Sequence, residues 1–166
     1  MGLLEPHGRG RRPFRRDALS EPSPPVIVVY SLAQAVAALE AAAEASRPVT
    51  LLSALDAGIH AGAGWWRALV EAARDAVPGA AFSAILDCGD QAGAAQAAIR
   101  AGAEAIVFTG RADVAERLAA IAGAQGTRLL MVRPGEFCDL DRWYFESART
   151  LRRKCADVLA SFPAIC

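Results

Sequence analysis

Large rings and lysine are both scarce in this chain of 166 residues: aromatics fill 7% of positions, and Lys154 stands alone against 17 arginines. A core with so few rings must be made from small and branched side chains, and 38 alanines supply much of it. Histidine occurs only twice, as His7 and His60. A catalytic zinc ion wants three protein donors, so two distant histidines cannot form its cage unaided. No apolar run reaches the roughly 18–20 residues a bilayer span needs. Charge of one sign is also missing, because 18 basic residues balance 18 acidic ones. The overall field therefore favours neither nucleic acid nor an anionic membrane surface. Cys88, Cys138, Cys155 and Cys166 form no C-x-x-C and have no histidine at zinc-finger spacing. The stretch Arg11-Arg12-Pro13-Phe14-Arg15-Arg16 superficially looks like a twin-arginine export signal. Asp17-Ala18-Leu19-Ser20-Glu21-Pro22 follows it, where export requires an apolar region. The expectation is a cytoplasmic chain with reduced thiols.

What is present divides into three. Residues 1–25 hold five arginines and five prolines without apolar period, as a disordered, solvated tail would. Its other reading is an arginine-rich contact for an acidic partner or nucleic acid. Residues 26–133 alternate buried strands with amphipathic helices. Strands are expected at 26–30, a continuous β-branched run, and at 49–54, 81–86, 104–108 and 128–132, where apolar residues predominate. Ser31 should cap the first helix. Further helices are expected at 65–76 and 90–100, and around Val114, Leu118 and Ile121. Gly102 should end one of them in the left-handed conformation. Residues 134–166 read as a helical extension, with a helix over 142–161 capped by Asp139 or Asp141. Tyr144, Ala148, Leu151, Cys155, Val158 and Leu159 form its apolar stripe, and Arg149, Arg152, Arg153 and Lys154 a basic cluster. The fold class is α/β, about five parallel strands in a partial βα barrel repeat plus a C-terminal helix.

In such folds ligands gather beyond the carboxyl ends of the strands. Asp87 ends a buried strand, where a desolvated carboxylate suits proton transfer and an aspartate equally suits a helix cap. Asp56, Gly58, Gly62, Thr109, Gly110 and Arg111 are the ligand-binding candidates. The glycines would bring main-chain N–H groups to a phosphate, and the arginine would hold an anion. Cys88 and His60 are the metal candidates at that end, and Asp56 or Asp87 could join them as donors.

The string Pro48-Val49-Thr50-Leu51-Leu52, then Gly58 and Gly62, then Trp66-Arg67-Ala68-Leu69-Val70, precedes Ile85-Leu86-Asp87-Cys88-Gly89 and Ala98-Ile99-Arg100-Ala101-Gly102-Ala103. Over residues 27–122 this order resembles the first half of the class II, zinc-dependent fructose-bisphosphate aldolases. The resemblance implies a TIM-barrel fragment and gives Asp87 the place of the proton-transfer acid in the family's L-D-H-G turn. Cys88 replaces the zinc-binding histidine of that turn. No histidine follows His60, so the family's later ligands have no counterpart, and its phosphate loop lies beyond the matched region. The resemblance thus implies a degenerate, truncated site in a non-catalytic domain that binds a small phosphorylated ligand or a protein. One alternative is an active carbon–carbon lyase with zinc, completed by a second subunit. The other is an interaction module working through the basic tail or the final helix. A homodimer or larger assembly is expected, because a part-barrel leaves an inner face and two edges to hide. The final helix is the expected cover for the inner face.

Overall fold

The computed structural model describes residues 23–135 and 138–161. The tail expectation for 1–25 therefore falls almost wholly outside the described residues, as do His7 and Cys166. Six strands, β1 (Val26–Val29), β2 (Val49–Ser53), β3 (Phe82–Asp87), β4 (Ala105–Val107), β5 (Arg128–Leu130) and β6 (Cys138–Asp139), form one sheet. All neighbours are parallel, in the order β5-β4-β3-β2-β1-β6. β1 to β5 follow one another in space as in sequence, with β6 added beside β1, and that order makes a barrel-type α/β arrangement. A flavodoxin-like sheet would instead place β1 between β2 and β3.

The helices are α1 (Leu32–Glu44), α2 (Ala57–His60), α3 (Gly62–Ala76), α4 (Ala92–Arg100), α5 (Ala112–Gln125) and α6 (Ala148–Ser161). Because strand side chains alternate, Ile27, Leu51, Leu86 and Ile106 face the helices and pack on Leu39, Leu69, Ile99 and Leu118. Val26, Val28, Leu52, Ile85, Ala105 and Val107 point the other way into a second, inner cluster. Both faces of the sheet are buried, which is why β1 and β4 read as unbroken apolar runs. Among the described residues no helix is long and apolar enough to cross a membrane.

Several elements differ from expectation. The fourth and fifth strands are shorter, because each keeps pairing for only three residues. The sixth strand was not expected, since two residues are too few to show a period. The stretch after β2 is not an open glycine loop: α2 occupies it, and α3 starts at Gly62 rather than 65. The final helix begins at Ala148, not 142. Ser147 caps it, with its Oγ accepting from Thr150 N at 3.3 Å, while Asp139 and Asp141 serve the 3₁₀ turn Asp141–Trp143 instead. Tyr144 consequently lies exposed ahead of the helix and not on its stripe. Nor does α6 cover the inner face. It lies along α1 in the outer layer, where Arg47 Nη1 donates to the Leu159 carbonyl at 2.7 Å and Arg152 meets Glu44 at 3.3 Å. Residues 138–161 thus supply a strand and a helix to the same sheet and helix layer as 26–133.

The caps at the first and third βα units match expectation. Ser31 Oγ accepts from Gln34 N at 3.3 Å, and Gly102 takes φ +77° after α4. Gln34 does more than follow the cap. It is fully buried, its Oε1 accepts from Tyr30 N and its Nε2 donates to the Leu140 carbonyl, both at 2.7 Å. One amide thereby joins the ends of β1 and β6 to the start of α1, satisfying buried main-chain groups that would otherwise be costly.

Crossing from β5 to β6 takes the chain between opposite edges of the sheet. Five strand spacings amount to about 24 Å, and eight residues fully extended reach at most about 28 Å. The chain between the two strands is thus just long enough to join the two edges.

Burial also fixes the thiols. Cys155 is fully buried among α1, α6 and β6, and desolvation, with Cys138 nearby, pushes it from 9.0 to about 12. Raising the folded value above the unfolded one gives stability that is complete below pH 9 and is lost as pH climbs from 9 through about 12. Cys155→Ala should make the decline in unfolding free energy over that window shallower by up to about 1.4 kcal/mol per pH unit. Urea titrations of parent and variant at matched pH measure it; identical slopes would contradict the assignment.

Candidate functional site

Parallel strands put all their carboxyl ends at one side, and there the structure gathers the ends of β2 and β3. Asp87 is 1% exposed. It shares the parity of Ile85, so its carboxylate enters the inner side of the sheet. One oxygen, Oδ1, accepts from Gly89 N at 2.9 Å and from Asp56 N at 3.2 Å. The other, Oδ2, pairs with Arg133 Nη1 at 2.6 Å. The Asp87 N–H donates to Ser53 Oγ at 2.9 Å, and Arg133 Nη2 reaches the Ser53 carbonyl at 3.1 Å. Asp87 therefore neither caps α4, which begins after Gln91, nor stands open to an incoming substrate, since it is buried and both of its oxygens are engaged. It is a buried anion held by two main-chain donors and a guanidinium.

Arg133 was visible in the sequence only as one of several residues after the fifth strand. Nothing local marks it as the partner of an aspartate 46 positions earlier. It belongs to the crossing between β5 and β6, and through it that crossing is anchored over the ends of β2 and β3.

Of the expected ligand residues, Asp56 and Gly58 lie beside Asp87. Asp56 holds a left-handed backbone, φ 56°, which an aspartate tolerates better than most residues. Gly58 sits in α2 against β3: a Cβ there would come within 2.8 Å of Cys88 Sγ and 2.9 Å of the Asp87 carbonyl. Gly89, at φ +53°, could carry no side chain without striking the Asp56 carboxylate. Close approach of two backbones explains these glycines without a phosphate. The N–H groups of Ile59, His60 and Ala61 already serve Asp56 and Ala57 carbonyls. Gly62, at φ +85°, makes the break between α2 and α3. Thr109 is exposed, with its N–H on the Gly89 carbonyl at 2.8 Å, and Gly110 lies under the Phe108 ring. Arg111 turns aside to Asp113, at 3.0 and 2.8 Å, so a ligand anion would have to compete with a bidentate carboxylate.

The metal candidates do not come together. Cys88 is fully buried on the helix side, where its Sγ faces Gly58 and the Leu86 carbonyl. Burial first, and Asp87 second, push its thiol from 9.0 to about 12, the opposite of what a thiolate ligand requires. His60 is exposed on α2. Among the described residues no three His, Cys, Asp or Glu side chains converge to hold a cation. The residues present thus do not fit the zinc that the family resemblance implies.

A cavity of ≈ 350 Å³ lies elsewhere. Trp66, Val70 and Arg74 of α3 line it together with Ala84 and the turn 101–104. That turn precedes β4, so the cavity belongs toward the amino ends of the strands.

No protein-family model matches the chain, and no curated protein matches it either. Solved structures do. One is a crystal structure from Coccidioides immitis described as a candidate fructose-1,6-biphosphate aldolase, with a TM-score of 0.54 and 21% identity. The match covers 64% of this chain and 40% of that one, so this chain spans under half of its length. The likeness is one of fold, and it agrees with a barrel-type α/β arrangement.

Removing Arg133 leaves the buried Asp87 carboxylate without its counter-charge. Arg133→Ala should cost about 2–4 kcal/mol of stability, toward the lower side of what breaking a buried pair costs because the arginine is itself part-exposed. Chemical denaturation checks this, and a loss under about 0.5 kcal/mol, the size of an ordinary surface change, would deny the clamp.

Proposed function

We propose that this chain is an aldolase-like domain without lyase activity, which acts by binding a partner protein at the carboxyl end of its sheet. One observation carries the reading: both oxygens of Asp87 are engaged by the chain's own groups, and its side chain is 1% exposed. A general acid or base must reach the proton it moves, and this carboxylate is shut behind Arg133. The family's chemistry also relies on a Lewis acid, and the donors at hand do not fit one.

A protein is favoured over a phosphorylated metabolite for two reasons. Gly58 is used for the close packing of α2 on β3 and Gly62 for the break between α2 and α3, while Arg111 is paired with Asp113. The carboxyl end instead presents apolar side chains to solvent, Leu55 at 65% and Val132 at 77% among them. A metabolite pocket would bury such groups around its ligand.

Fructose 1,6-bisphosphate supplied with zinc should be cleaved no faster than in a protein-free control, and the sugar phosphate at millimolar concentration should leave the melting temperature unchanged. Turnover abolished by Asp87→Asn would overturn the reading. A ligand-dependent rise in melting temperature would return the domain to small-molecule binding.

A further inference from the structure

We propose that the carboxyl-end rim is a docking surface for a basic, apolar segment of a partner protein. The inference rests on the partner-binding reading above and adds the chemistry of the partner. Eight large apolar side chains are exposed among the described residues, and seven lie on the segments that follow strand carboxyl ends. Only Ile121, on α5, lies elsewhere. Leu32 follows β1, Leu55 and Ile59 follow β2, Met131 and Val132 follow β5, and Tyr144 and Phe145 follow β6. Arg133 ties the β5 pair to the β2 pair, since it bonds Ser53 two residues before Leu55. The side chain of Ile59 lies against Gly89 at the end of β3. Phe145 is 97% exposed, and its only ring contact among the described residues is an edge-to-face one with Tyr144 at 5.1 Å.

These exposed apolar side chains stand on segments that follow the carboxyl ends of several strands, and apolar groups left to solvent at one end of a domain suit a protein partner. Aromatic anchors such as Phe145 and Tyr144 are also the kind that dominate interface energetics.

Charge selects the partner. The same segments carry Asp56, Asp90, Asp139, Asp141 and Glu146 against Arg142, while Arg111 and Arg133 are engaged by Asp113 and Asp87. The whole chain is neutral, so this acidic bias is local. A second copy docked about a two-fold axis would set acid against acid, which disfavours self-association through this face. A segment with lysine or arginine between leucine or aromatic residues would meet both the apolar patch and its acidic surround.

Fluorescence anisotropy with the full chain and a fluorescein-labelled amphipathic peptide of lysine and leucine tests this, with a glutamate–leucine peptide as counterpart. The basic peptide should bind at micromolar concentration and weaken at least tenfold from 50 to 500 mM salt, as screening requires. Phe145→Ser and Val132→Ser should each weaken it about tenfold while the melting temperature holds, which separates docking from loose charge attraction. Glu146→Lys should weaken it too. Equal affinity for both peptides, no binding, or binding indifferent to Phe145→Ser would overturn the proposal. So would a concentration-dependent dimer that Phe145→Ser dissolves, since it would give the face to a second copy. The same preparation is assayed for aldol cleavage: turnover there defeats the reading beneath, whereas silence in both assays defeats only the docking surface.

Discussion

A carboxylate cannot sit unpaired inside a sheet, and the fold is arranged around the one that does sit there. Asp87 closes β3 on the inner side, where water is excluded, so its charge must be met by protein groups. Arg133 meets it from 46 residues away. Because that arginine lies on the crossing between β5 and β6, the ion pair also fixes where the crossing runs, over the ends of β2 and β3. The same guanidinium holds the Ser53 carbonyl, and the Ser53 hydroxyl holds the Asp87 N–H. Strand ends, crossing and charge therefore form one connected network. A buried pair of this kind adds little net stability over an apolar substitute but penalises any arrangement that separates its members. It specifies a closed carboxyl end more than it strengthens the domain.

Closure has a functional consequence. An aldolase-type barrel leaves its strand ends open so that a substrate can reach a carboxylate and a cation. Here the chain fills that place with its own arginine, and the neighbouring thiol is turned to the helix side and kept protonated by burial. The position that the resemblance gives to a proton-transfer acid is occupied here by a structural ion pair. What the carboxyl end offers is its outer surface, and that is where the proposed function places a partner protein.

Much of this architecture was legible in the sequence because local physics determined it. The run Val26-Ile27-Val28-Val29 reads as a strand since both of its faces are buried. Ser31 caps as its side chain predicts, and Gly102 ends α4 as its freedom at positive φ predicts. The order of motifs also pointed to a barrel-type repeat, which the sheet order bears out. What escaped was decided at long range or by brevity. β6 is two residues held by pairing with β1. The segment 57–64 looked like a phosphate loop because glycine at close backbone contacts and glycine at a ligand are alike in sequence. Gly58 is there because Cys88 and the Asp87 carbonyl leave no room for a Cβ. Asp87 was singled out correctly as unusual, but its role depended on Arg133, and no spacing rule links the two. Ser147 was passed over as a cap for Asp139 and Asp141, since a run of candidate caps does not say where the chain stops turning.

The most direct test of the central claim is a double-mutant cycle on Asp87 and Arg133, using Asp87→Ala, Arg133→Ala and the pair, with stability measured by urea unfolding at neutral pH. If the two side chains clamp the carboxyl end together, the double variant should be less destabilised than the two single losses added, by a coupling of about 2–3 kcal/mol. Additive losses, with a coupling indistinguishable from zero, would mean the guanidinium and the carboxylate do not act on each other in solution, and the closed carboxyl end would lose its basis.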